Sequence, residues 1–194
     1  MDSQRWKRKT DAAIMTSARA AAWKREGARH IVGVMGFSGA WRRSGLSGDA
    51  LKTYIAGIRA ALHSTLAALQ RQWGTRLVMC SGATDIGVPG CAYHLCEEMG
   101  ITAMGVTAGA AIRYTIAPMA VLVPVGRRFG DESHIFVGLC DAFVVLGGGP
   151  QSDAETRAAH QQGKPVTVIQ GFGGAADAFS AEDLPGAVFI TARQ

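Results

Sequence analysis

The sequence predicts an α/β fold: a Rossmann-like, doubly wound, mainly parallel sheet with helices on both faces. Two observations predict it. Short continuous apolar runs alternate with segments of helical period, the pattern of strands buried on both faces. Three glycine-rich turns, at 36–39, 82–90 and 147–149, follow three of those runs, where such a sheet presents its ligand-binding edge.

The elements follow in order. His30-Ile-Val-Gly-Val-Met35 reads as a first buried strand entering a glycine turn. A long helix is predicted from a cap at Asp49 to Trp73. Its apolar residues Leu51, Ile55, Ile58, Leu62, Leu66 and Leu69 recur every three or four positions, and Gly74 ends it. Residues 76–80 give a second strand, 90–99 a helix closed by Gly100, and 101–106 a third strand. Residues 121–125 form a weaker strand, because Pro124 confines it to an edge or a strand end. A short helix over 131–139 precedes a strong strand, 141–146. A polar helix over 153–162, a strand over 165–169, a short helix near 175–179 and a last strand over 188–190 complete the chain.

Composition narrows the class. The chain has 194 residues, 48% hydrophobic and 18% charged, which excludes bulk disorder and suffices for a core without disulfide or metal staples. The net charge of +5 lies entirely in residues 1–29, which hold eight Lys and Arg against three acids; the rest is neutral. We therefore expect a basic N-terminal helical arm, 1–29, with a helix from Asp11 to Glu26, and a single Rossmann-like nucleotide-binding domain, 30–194. The arm suits solvent or a neighbouring subunit better than nucleic acid. No apolar run is long enough for a membrane span, and the charged start is no secretory signal. The four Cys show no CxxC spacing, so free thiols in a reducing cytoplasm are expected, and no metal site.

The turns point to an anion. A strand-to-helix turn leaves backbone N–H groups without partners, and the helix dipole favours negative charge. Glycines allow close approach of the backbone. The expected phosphate- or ligand-binding residues are Gly36, Ser38 and Gly39 in the first turn; Gly82, Ala83, Thr84, Asp85 and Gly87 in the second; and Gly147, Gly148, Gly149, Gln151 and Ser152 in the third. Neither a P-loop nor a GxGxxG fingerprint is present.

The segment Asp141-Ala-Phe-Val-Val-Leu-Gly-Gly-Gly-Pro-Gln-Ser-Asp-Ala-Glu155 resembles the signature region of the Lonely Guy proteins, long called lysine decarboxylase-like. These belong to the SLOG superfamily, with the DNA-processing Smf proteins and the molybdenum-cofactor carriers. The family motif reads Pro-Gly-Gly-x-Gly-Thr-x-x-Glu. Gly147 stands in the Pro place, Gly148, Gly149 and Glu155 match, Gln151 replaces the third Gly, and Ser152 replaces Thr. The loops at 33–39 and 81–90 are similar to the family's first and second glycine loops. The resemblance covers roughly Ile31 to Ile169.

It implies a nucleotide-like ligand with its phosphate on the third loop. For the Lonely Guy enzymes it also implies cleavage of an N-glycosidic bond in a nucleoside 5′-monophosphate by the motif Glu with an Arg of the preceding helix. Here Glu132-Ser133 falls where the Arg-Lys pair is expected, and Arg127-Arg128 lie a turn too early. The reading favoured is therefore a sensor or carrier of a phosphate-bearing nucleotide or a cofactor such as molybdopterin; the alternative is a phosphoribohydrolase. For hydrolysis the catalytic candidates are Glu155, Asp131 and Glu132, since a carboxylate stabilises or attacks an oxocarbenium-like centre. Asp131 and Glu132 are also candidates for Mg²⁺ with a diphosphate. His134 is a candidate acid/base, and Glu155 with Ser152 also fits a capping box. A homodimer or higher homo-oligomer is expected, with the 49–73 helix as a surface.

Overall fold

The computed structural model describes residues 3–39 and 45–192. Met1 and Asp2 of the predicted arm lie outside the described residues. Eight parallel strands form one sheet: β1 (Ala13–Ile14), β2 (His30–Gly36), β3 (Leu77–Ser81), β4 (Thr102–Ala108), β5 (Val121–Val125), β6 (Ala142–Leu146), β7 (Val166–Gln170) and β8 (Val188–Thr191). Their order is β1-β5-β4-β3-β2-β6-β7-β8. The chain starts its main sheet at β2, winds outward through β3, β4 and β5, then returns to pair β6 with β2, Gly36 opposite Leu146. The order reverses between β2 and β6, which places the switch crevice at their carboxyl ends.

The sheet is mainly parallel as expected, and in fact wholly so. Strand residues alternate between its two faces. Ile31, Met35, Phe143 and Val145 face one layer, built from α2 (Ser17–Glu26), α5 (Ser133–Leu139), α6 (Pro150–Gln161) and α7 (Gly174–Ala178). Val32, Val34, Val144 and Leu146 face the other, built from α3 (Gly48–Trp73) and α4 (Gly87–Met99). Ile58, Leu62 and Leu66, three of the predicted apolar positions of α3, are fully buried, while its outer turns are only half covered. Gly74 ends α3 with a positive φ, as expected.

Three helix starts differ from expectation by three residues or more. The helix predicted from Asp11 begins at Ser17, capped by the Thr16 hydroxyl. Ahead of it, Ala13 and Ile14 add the edge strand β1, with Ala13 N–H donating to Ala120 O and Met15 N–H to Leu122 O. The segment is also anchored by α1 (Ser3–Lys7), whose Trp6 is buried against Ile112 and Leu122. Pro124 sits at the end of β5 beyond the reach of β1, where its missing N–H costs no ladder bond. The polar helix after β6 begins at Pro150 rather than Asp153, because Pro suits the first helical position. The helix after β3 starts at Gly87, three residues early.

All four Cys are free thiols, three of them buried. Burial pushes the Cys96 thiol up to about 12. No described helix is long and apolar enough to cross a membrane.

Candidate functional site

A cleft of about 730 Å³ opens over the carboxyl ends of β2, β3, β4 and β6. Two of the three predicted turns supply its rim most directly: Gly36, Ser38 and Gly39 from the first, and Gly149, Gln151 and Ser152 from the third. Gly82 and Thr84 of the second also line it, as do Glu132 and Glu155.

The third turn carries the anion-binding geometry. Gly149 is the N-cap of α6 and has no side chain to satisfy the first helical amides. Among the described residues, the N–H groups of Gly149, Gln151 and Ser152 have no protein acceptor. They face the cleft at the positive end of a twelve-residue helix. Gly147 and Gly148 are buried behind them and do not line the cleft. Their carbonyls accept from Ala176 and Ala175, which packs α7 beneath the turn. Gly147 is required: it has φ 63°, and a Cβ there would stand 2.7 Å from the Phe37 ring.

The second turn differs from the expected amide cradle. The amides of Ala83, Asp85 and Val88 are consumed by the protein. Ala83 N–H donates to the Tyr93 hydroxyl and Asp85 N–H to Thr115 O, while Ala83 O accepts from Ala117. Val88 N–H donates to Phe37 O at 2.8 Å, which bolts the second turn to the first. Ala83, Asp85 and Gly87 do not line the cleft. Asp85 instead meets His94 Nε2 at 2.9 Å. The buried Tyr93 hydroxyl also lies within hydrogen-bonding distance of Ser81 O and Met104 O, fixing the ends of β3 and β4 below the turn.

The floor is acidic. Glu155 is buried, and its Oε1 accepts from the Ser133 hydroxyl at 2.6 Å and from Gln151 Nε2 at 2.9 Å. Gln151 Nε2 also donates to Glu132 Oε1 at 3.2 Å, and Glu132 Oε2 accepts from Gly130 N–H. Burial pushes the Glu155 carboxyl up, the two hydrogen bonds pull it down, and the charge of Glu132 adds to the rise. Ser152 does not form a capping box with Glu155; its hydroxyl lies 3.4 Å from Gly36 O. Glu132-Ser133 thus brings a carboxylate and a hydroxyl to the place where the resemblance calls for Arg-Lys.

Asp131 and Glu132 do not converge. Asp131 Oδ2 accepts from the Arg127 and Arg128 amides, 2.7 and 3.0 Å away, and closes its own exposed turn. Those bonds hold its carboxyl below the usual range. Among the described residues no group of three or more His, Cys, Asp or Glu side chains could hold a metal ion. His134 is exposed and does not line the cleft.

Sequence reasoning missed the aromatic lip. Tyr54, Phe37, Tyr114 and Phe129 line the cleft, and the Tyr114 and Phe129 rings stand 6.0 Å apart. Both are exposed, an unusual placement for apolar rings away from a ligand. No periodic pattern marks them, because both lie on irregular chain after β4 and β5.

The architecture is that of a Rossmann-like α/β domain built on a wholly parallel sheet. Solved structures share it. The molybdenum cofactor carrier protein from Chlamydomonas reinhardtii is 21% identical, with a TM-score of 0.61 over 86% of this chain and 91% of that one. The molybdenum cofactor binding protein from the phototrophic bacterium Rippkaea orientalis is 18% identical, with a TM-score of 0.61 over 84% of this chain and 88% of that one. TM1055, a structural-genomics target, is 21% identical, with a TM-score of 0.61 over 84% and 92%. At these identities the likeness is one of fold. No family model and no curated protein matches the sequence.

Proposed function

We propose that the protein binds a phosphate-bearing nucleotide or nucleotide-like cofactor in the 730 Å³ cleft, as a carrier or sensor. One observation carries this reading: three amides at the start of α6 face the cleft without acceptors among the described residues. They suit a phosphate. The Glu132–Gln151–Glu155 floor suits the N–H or O–H donors of a heterocycle or sugar, and the Tyr114–Phe129 lip suits a planar ring. The solved neighbours that bind the molybdenum cofactor support a molybdopterin-type ligand, which combines a phosphate with a donor-rich ring.

The test is native mass spectrometry of freshly purified protein, followed by thermal shift with AMP, GMP and a reduced pterin phosphate. A ligand at a hundred times its dissociation constant stabilises by about 2.7 kcal/mol, a shift of several degrees. No shift with any phosphate-bearing compound overturns the reading.

Glu155 supports a second reading, hydrolysis of nucleoside 5′-monophosphates, because its carboxyl lines the same cleft. Base release that is absent in wild type, or that survives in Glu155→Ala, removes it.

A further inference from the structure

We infer that a second, basic cavity on the same rim binds a phosphate monoester or diphosphate group of a small molecule. This cavity, about 390 Å³, is lined by Arg5, Trp6, Arg113 and Arg127 with the backbone of Gly109 and Gly126. Its walls follow β4 and β5, so it opens on the same edge of the sheet as the main cleft.

Three arginines line this concavity, and none forms an ion pair among the described residues. Elsewhere Arg19, Arg59 and Arg157 each face a carboxylate. Among the described residues no lining residue is acidic. The carboxylate behind Gly126, Asp131, has its Oδ2 tied to the Arg127 and Arg128 amides. The described lining therefore carries three positive charges and no negative one. Like charges gathered on a concave wall repel, and a multivalent anion relieves that repulsion. Arginine forks match phosphate oxygens in geometry as well as charge.

The fold positions the backbone that carries the three exposed arginines. Trp6 is buried and seats the short helix to which Arg5 belongs. Arg113 ends the 3₁₀ turn Gly109–Arg113, and Arg127 follows β5 directly. Tyr114 directly follows Arg113 and Phe129 stands two residues after Arg127, and both form the lip of the main cleft. The two cavities are therefore lined by neighbouring residues of the same two segments. The volume suits a single phosphorylated group rather than a length of nucleic acid.

The experiment is calorimetric titration of the full chain with inorganic diphosphate at about 50 mM salt. Wild type should show two binding events. Arg113→Ala with Arg127→Ala should weaken one by at least about tenfold and leave the other unchanged. Gly149→Asp, which places a carboxylate at the start of α6, should remove only the other event. Lys7→Ala with Lys9→Ala loses the same charge outside the cavity and should leave both. The inference is overturned if the Arg variant binds as wild type does, or if the Lys variant loses as much. It is also overturned if an oligothymidylate binds tighter than diphosphate, which makes the face a nucleic-acid surface. Absence of the Gly149-sensitive event in wild type counts against the main-cleft reading and leaves this one standing.

Discussion

The Ser133 hydroxyl donates to Glu155 Oε1 at 2.6 Å, joining the start of α5 to the second turn of α6 across the cleft floor. This bond opposes the rise that burial imposes on the carboxyl but does not cancel it.

A pH dependence follows. The native state favours the protonated form of Glu155, whose ordinary value is 4.5. The corresponding stability is fully present below that value and is lost as pH rises through the raised native one. Gln has no charge to desolvate. Glu155→Gln should therefore match wild type in Tm near pH 4 and exceed it by a few degrees at pH 8. Melting curves across that range check it; a pH-independent offset contradicts it.

Gly149→Asp separates stability from binding. The residue has φ −119°, and a Cβ there meets nothing within 4 Å. Asp is a better N-cap than Gly by a few tenths of a kcal/mol and favours the dipole. The variant should melt no lower than wild type, yet bind inorganic phosphate at least about tenfold more weakly. A fall in both quantities together points to misfolding instead.

Gly87 and Gly82 should behave oppositely although they share a turn. At Gly87, φ is 62° and a Cβ would lie 2.0 Å from Phe37 O. Gly87→Ala should cost about 3 kcal/mol or more, from strain and overlap together. At Gly82 nothing stands within 4 Å, so Gly82→Ala should stay within about 0.5 kcal/mol. Urea midpoints at constant m decide the pair.

Asp141 anchors the N-terminal segment. Its Oδ1 accepts from Lys24 Nζ, which also donates to Leu139 O, and its Oδ2 accepts from Ile31 N–H. Asp141→Ala should cost about 1–3 kcal/mol, and limited proteolysis should cut near residues 27–29 sooner than in wild type. Equal cutting rates refute the anchoring role.

Much of this was legible in the residues. The continuous apolar runs of β2, β3, β4 and β6 are what a doubly covered parallel sheet demands, and each ends in a turn that the glycines mark. The Gly149–Ser152 rim followed from the same signal, and Glu155 from the family resemblance of the segment 141–155. Strand β1 did not: two residues inside an Ala-rich stretch carry a helical propensity, and only the acceptors on β5 override it. The second turn looked like a cradle, but its Ala83, Asp85 and Val88 amides answer to Tyr93, Thr115 and Phe37, partners far apart in sequence or on irregular chain. The aromatic lip and the three-arginine cavity arise from convergence in space, which no local spacing encodes.

The pairing of Ala13 with Val121 joins residues more than half the chain apart. Closure of so wide a loop is entropically slow, so the sheet edge should be finished after its centre has formed. During synthesis Trp6 leaves the ribosome more than a hundred residues ahead of Leu122 of β5, its partner in the buried cluster. Refolding followed by indole emission, with Trp6→Phe as reference, should place its shielding in the last phase.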